Sequence, residues 1–321
     1  MKLWKCMLGL VLFLALAAGA AATTYYVDDN SNDGDVYTPD YTGNDSNDGL
    51  SPSSPKLTIN NLLASTNLMP GDIVLIDTGT YTENVLIGSG VVGADGNRIT
   101  FQGSTNLAAG GATFTGSGTI IEVRGTYLHL RDIRSTGGSY AFTLNGAQFC
   151  EFERVFASGS AIGIHLAGAS NSNVFRRCTI LSQTAGAFRP FSPATGNYLE
   201  NCVAISRDSA AFALVGSAIT NIIGCIGQGS YVLGIESYPQ FWGSRNIFLP
   251  TIAFSPNFET LADFQAAYTN WANNAIADPK FVDSAGLDFH LLSAAGFVSN
   301  GVWVTNPAVG FSPGIDFGAR E

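Results

Sequence analysis

Positive charge is scarce in this chain. Of its 321 residues 12% are charged, and 15 Lys or Arg stand against 25 Asp or Glu. No lysine occurs between Lys56 and Lys280. A chain so poor in basic side chains lacks the phosphate contacts on which nucleic-acid binding depends, so no nucleic-acid partner is expected. Long apolar runs are also few. The longest extends from Cys6 to about Ala17, preceded by Lys2 and Lys5 and followed by the small-residue stretch Ala18–Ala22. A charged start, an apolar middle and an A-x-A-like end read as a secretory signal peptide over residues 1–22, cut near Ala22. The run is short for a spanning helix, so no membrane span is expected after cleavage. The expected location is outside the cell, at its surface or in the periplasm. Losing Lys2 and Lys5 takes the formal charge from −10 to −12, which suits a neutral glycan better than a polyanion.

Cysteine is sparse too. With Cys6 in the signal segment, Cys150, Cys178, Cys202 and Cys225 remain. An even number in an exported chain opens the way to a disulfide. Their place in the repeat decides how they are read.

What the chain does have is a period. Short apolar alternations start at Ile121, Phe142, Ile164, Phe188, Phe212 and Ile235, spaced by 21, 22, 24, 24 and 23 residues. A second column runs Leu130, Phe152, Phe175, Leu199 and Ile222; a third runs Ile133, Val155, Cys178, Cys202 and Cys225. Both have steps of 22, 23, 24 and 23. Alternation such as Ile164-His165-Leu166 has period two, which sends successive side chains to opposite faces of a strand. Runs of three to five residues closed by turn residues are too short for helices, and the dense Leu/Asn consensus of a leucine-rich repeat is absent. The expected fold is all-β: a right-handed parallel β-helix solenoid with short helical or loop caps at both ends.

In such coils, inward columns become ladders of like side chains about 4.8 Å apart. Three cysteines in one inward column, with Cys150 two residues earlier in another, point to reduced thiols packed as small hydrophobes; a single disulfide is the alternative. The polar pairs between columns, Arg131-Asp132, Glu153-Arg154, Arg176-Arg177 and Glu200-Asn201, read as outward corners. Their first members alternate in charge and set register by cross-strand pairing; a charged groove is the functional alternative. Abundant Gly is expected to supply the positive φ that corners need.

The expected organisation is a signal peptide over 1–22, an acidic loop and capping helix over 23–70, coils over 71–249 and a closing segment over 250–321. Thr58 is placed to cap a helix running to Leu68 with Ile59, Leu62 and Leu63 on one face, and Ile73–Ile76 reads as the first strand. A second short helix is expected over Leu261–Tyr268. The Asp-rich text from Asp28 to Asp48 is turn-like. Its spacing departs from an EF-hand, because Asp40 stands where the twelfth-position Glu belongs. Asp29, Asp33, Asp45 and Asp48 are nevertheless the candidate ligands for calcium, the one cofactor left open; the alternative is a solvated acidic loop.

The segments Tyr25-Tyr26-Val27, GNDSNDGLSPSSP (Gly43–Pro55) and PGDIVLIDTGTYTENV (Pro70–Val85) open the coils, and DPKFVD (Asp278–Asp283), LDFHL (Leu287–Leu291) and SPGIDFG (Ser312–Gly318) close them. Together they resemble the two ends of secreted bacterial pectate-lyase-like parallel β-helix proteins. The resemblance implies polysaccharide lyases, polygalacturonase-like hydrolases and members without known chemistry, and the residues must choose among them.

A lyase of this kind needs a basic residue beside a cation held by carboxylates. The outward residues of the first column are Glu122, Thr143, His165, Arg189, Ala213 and Glu236. Arg189 is the basic member of the lyase type, but Glu122 lies three coils away, roughly 14 Å, and Glu236 two coils away, roughly 10 Å. Neither distance lets a carboxylate share a cation with a substrate at Arg189, and no acidic cluster of the hydrolase type stands there. The catalytic candidates are therefore His165, Arg189 and Glu236, each of which reads equally as an ordinary surface residue. Arg189, Tyr238 and Trp242 are the candidates for contacting sugar, the last two from an aromatic stretch with Tyr231 and Phe241 that also suits a hydrophobic end cover. The expectation is an exported protein that contacts extracellular polysaccharide as a non-catalytic binder or degenerate carbohydrate-active enzyme. The alternatives are an active lyase or hydrolase and a cell-surface structural or adhesion module.

Overall fold

A computed structural model describes residues 21–191, 193–215, 220–231 and 260–267 in full, together with the backbone of 232–235 and of the strands at 242–244, 247–253, 275–276, 281–283, 288–291, 297–299 and 302–304. The chain winds into a parallel β-helix with three faces. The first is a nine-stranded sheet, Thr24–Val27, Ile73–Ile76, Ile99–Gly103, Leu128–Arg131, Glu151–Glu153, Val174–Arg176, Asn197–Glu200, Thr220–Ile223 and Trp242–Ser244. The second face rises from Gly79–Thr82 to Val203–Ser206, and the third from Val85–Ile87 to Ala210–Leu214. One ten-residue strand, Ile226–Ile235, pairs with the top of both and joins them into a fifteen-stranded sheet.

The interior follows the columns. Leu130, Phe152, Phe175, Leu199 and Ile222 are in-register neighbours and fully buried. The Phe152 and Phe175 rings stack at 4.8 Å, and Phe142 and Phe188 meet them edge-on from the third face at 6.2 and 5.3 Å. Burying each such side chain contributes about 1.5–3 kcal/mol, so the ladder is a continuous core that no single coil makes alone. Cys150, Cys178, Cys202 and Cys225 are buried and unbridged, as the packing reading requires.

Four expectations are corrected. First, the opening rung is Thr24–Val27, parallel to Ile73–Ile76, so the stack begins one strand earlier than read. Its four-residue alternation is separated from the next strand by some 45 residues, which hides it from a period search. Second, the first column slips at the last coil. Phe212 pairs with Leu233 and Leu214 with Ile235, so the step is 21 and the outward neighbour of Ala213 is Gly234. The uninterrupted strand Ile226–Ile235 spends no residues on the turn that earlier coils contain.

Third, glycine supplies the positive φ at other turns, such as Gly137, Gly146 and Gly168, but not at most corners after the first face. Asp132, Arg154, Arg177 and Asn201 hold φ between 50 and 56°, and Gly224 takes over in the fifth coil. The first four donate their N–H to the next coil, as Asp132 N–H does to Glu153 O at 3.1 Å and Arg154 N–H to Arg176 O at 3.0 Å. Fourth, the helix spans Ile59–Ser65 and stops short of Leu68, the chain turning extended at Thr66. Thr58 caps it, its hydroxyl accepting from Asn61 N–H at 3.1 Å, and Ile59 and Leu62 are buried with Leu63 packed beside them. The second helix covers Leu261–Ala267, with the Thr260 hydroxyl accepting from Asp263 N–H and donating to its carboxylate.

Among the described residues no helix is long and apolar enough to cross a membrane. The run Cys6–Ala17 and the end motifs beyond Val304 lie outside them.

Candidate functional site

Parallel pairing fixes the outward ladder of the third face. Glu122 pairs with Thr143, Thr143 with His165 and His165 with Arg189. Three rungs therefore separate Glu122 from Arg189, roughly 14 Å at the spacing of adjacent strands. Glu122 is committed locally: its carboxylate accepts from Arg124 Nε at 2.7 Å and Asn145 Nδ2 at 3.1 Å. The Arg124 bond leads the effects that hold it below the ordinary Glu range. Thr143, next in line, is almost fully buried and its hydroxyl oxygen has no hydrogen-bond partner.

Above Thr143, four aromatic and cationic side chains gather. The His165 ring stacks on Tyr140 at 5.3 Å and meets Phe191 edge-on at 5.1 Å, while the Arg189 guanidinium lies 4.8 Å from the Phe191 centroid. The Arg189 Nη1 also donates to Ala185 O at 3.4 Å. Burial first, then the positive charge of Arg189, depresses the His165 pKa below its ordinary value of 6.5, so the imidazole is neutral at neutral pH. The arrangement offers ring faces, a guanidinium and a neutral imidazole on one surface. Such a set suits hydroxyl and carboxylate groups on a stacked sugar ring.

His165 and Arg189 are thus brought together; the rung beside Ala213 is Gly234, and Glu236, Tyr238 and Phe241 lie outside the described residues. Of Trp242 the backbone is described, pairing with Asn221 on the first face. Tyr140 and Phe191 are contributors that the residue reading missed. Period two places Phe191 on the side of Arg189.

The first face carries a second charged array. Arg131, Glu153, Arg176 and Glu200 are in register, but Arg131 turns away from Glu153 and donates to Gln102 at 3.1 Å. Arg154 takes its place, bonding Asp132 at 2.7 and 2.8 Å and Glu153 at 2.7 Å. Arg176 bridges Glu151 and Glu200. The array is internally satisfied and braces the corner.

The four candidate calcium ligands are dispersed. Asp29 accepts from Ser31 and Thr80 N–H, Asp45 from Leu57 and Thr58, and Asp48 from Leu50 N–H and the Ser54 hydroxyl, so these three act as turn caps. Asp33 is exposed. Among the described residues no three His, Cys, Asp or Glu side chains converge as a metal cage.

The fold is that of a pectate-lyase-like parallel β-helix. Solved structures of this kind include a rhamnogalacturonan lyase, at TM-score 0.52 and 20% identity over 71% of this chain and 69% of that one. They also include pectate lyase Pel9A, at TM-score 0.51 and 15% identity over 94% of this chain and 98% of that one. Identity at this level shows a shared fold. No family model and no curated protein matches the chain.

Proposed function

We propose that this is an exported β-helix that binds extracellular polysaccharide along its third face without cleaving it. The observation that carries the reading is the sequence of rungs Glu122–Thr143–His165–Arg189, which holds the cation of the cluster three coils from the nearest acidic member of its ladder among the described residues. A lyase or hydrolase needs its groups within a few ångströms of one reacting centre. Tyr140, Phe191, His165 and Arg189 instead form a contact surface, and the fold shared with polysaccharide-acting proteins supports a glycan as its ligand.

The test is affinity electrophoresis of the mature protein through gels containing galactans, arabinans, rhamnogalacturonan or polygalacturonate. Retardation on at least one glycan, lost in Arg189→Ala and in Tyr140→Ala, is the expected result. Unchanged mobility on the whole panel contradicts the reading, and retardation that survives both substitutions moves the contact elsewhere.

A further inference from the structure

The first rung buries carboxylates that have no cationic side chain beside them among the described residues. Val27 pairs with Ile76, so Asp28 and Asp77 follow as neighbours on the two opening strands. Asp77 is fully used: it accepts from the N–H groups of Val36, Tyr37, Thr38 and Thr78 and from the Thr38 hydroxyl, at 2.6–2.9 Å. Asp29 is held by Ser31 and Thr80. Asp28 differs. It is 0% exposed, and neither of its carboxylate oxygens has a well-formed hydrogen bond, because the Thr38 hydroxyl close to it donates to Asp77 instead. Both carboxylate oxygens of Asp35 are likewise buried and unpartnered, on a residue that keeps part of its surface in solvent.

Leaving one buried charged group unsatisfied is costly, and four orphaned oxygens in one loop need a compensating ligand. The leading charges on Asp28 are Asp35, Asp77 and Asp29; on Asp35 they are Asp77, Asp29 and Asp33; and on the nearby Tyr81 they are Asp28, Asp29, Asp77 and Asp35. All are carboxylates. Burial and this mutual repulsion push Asp28 up to about 8 and Asp35 to about 7.

We propose that Asp28 and Asp35 hold a calcium ion at the opening of the coil stack, with main-chain carbonyl oxygens and water completing its shell. Oxygen donors alone select a hard cation, and calcium tolerates an irregular shell where magnesium demands a near-ideal octahedron. Two side-chain carboxylates place the dissociation constant on the order of 10⁻⁴–10⁻³ M, the range of extracellular modules. The ion would pin loop 29–38 over the first rung and so brace the open end of the solenoid. This site is independent of the polysaccharide face.

The experiment uses the mature protein stripped with EGTA at pH 7.5, titrated with calcium while Tm is followed, and with terbium while luminescence sensitised by Tyr37 and Tyr81 is read. One ion bound and a Tm rise of about 5–10 °C at calcium a hundredfold above its dissociation constant are expected. Asp35→Asn and Asp28→Asn should abolish both responses, and Asp48→Asn, which removes a turn cap, should leave them intact. Asp35→Asn alone decides the matter if the buried Asp28→Asn does not fold. No calcium-dependent change in Tm, or a full response in Asp35→Asn, overturns the proposal.

Discussion

Asn197 lies one rung above Asn173 inside the stack, and its carbonyl oxygen accepts from both the main-chain N–H of Asn173 at 3.0 Å and its side-chain amide at 3.1 Å. Both residues are 0% exposed, and the Asn197 amide passes the ladder on to Ser170 O at 3.0 Å. Below them Cys150 N–H donates to Asn173 at 3.0 Å. The rung above Asn197 is Thr220, whose buried hydroxyl has no partner. Neighbours in one column thus make opposite contributions. Asn197→Ala should cost about 2–4 kcal/mol, because it orphans buried donors and leaves a cavity. Thr220→Val should be neutral or stabilising by about 1 kcal/mol, since it removes an unsatisfied group. Urea denaturation of the two variants checks the contrast; equal losses would mean the ladder carries no special weight.

At the corner of the first face, Arg154 adopts φ 50° and bonds the Asp132 carboxylate. Arg154→Ala leaves that nearly buried carboxylate without its partner and still holds an L side chain in the left-handed region. A loss of about 1–3 kcal/mol is expected. Arg154→Gly loses the same bonds but relieves the backbone, and should be more stable than Arg154→Ala by about 0.5–1 kcal/mol. Comparing their denaturation midpoints tests the backbone and the ion pair separately.

His165 supplies a pH signature. Its pKa is lowered by burial and then by Arg189, so the folded protein takes up this proton later than the unfolded chain as pH falls. The stability tied to His165 is full above the unfolded value of about 6.5 and is lost as pH drops through it toward the folded value. Arg189→Gln removes the repelling charge. The ¹H–¹³C titration of the His165 ring should then move upward, toward 6.5, and an unmoved titration would mean that Arg189 does not sit beside the ring.

The thiols should be silent. Burial pushes Cys150 up to about 11 and holds Cys178 and Cys225 well above the usual thiol range, while Cys202, drawn down by hydrogen bonds from those two thiols, is kept from reagent by its complete burial. Native protein should leave a thiol reagent unconsumed over an hour, while the denatured mature chain releases four reactive thiols without prior reduction. Fewer than four would reveal a disulfide.

The coil columns were legible because inward apolar residues repeat at a nearly constant step, and period two then fixes which neighbours face out. That logic places Arg189 beside His165 and three rungs from Glu122 from the sequence alone. It failed where geometry departs from the repeat. The strand Ile226–Ile235 absorbs a turn and sets Gly234 beside Ala213, and the isolated rung Thr24–Val27 has no periodic partner in sequence. The left-handed corners at Asp132, Arg154, Arg177 and Asn201 carry no glycine to announce them. The burial of Asp28 depends on a loop folding back over its own strand end, which a linear acidic text does not express; the text drew attention to Asp45 and Asp48, which cap turns.

The most direct measurement is absorbance at 235 nm during incubation of the mature protein with polygalacturonate and rhamnogalacturonan, in calcium and in EGTA. Binding without chemistry predicts a flat trace on every substrate, calcium present or not. A steady rise from unsaturated ends that disappears in Arg189→Ala would contradict it, and would mean that acidic groups outside the Glu122–Arg189 ladder complete a catalytic centre.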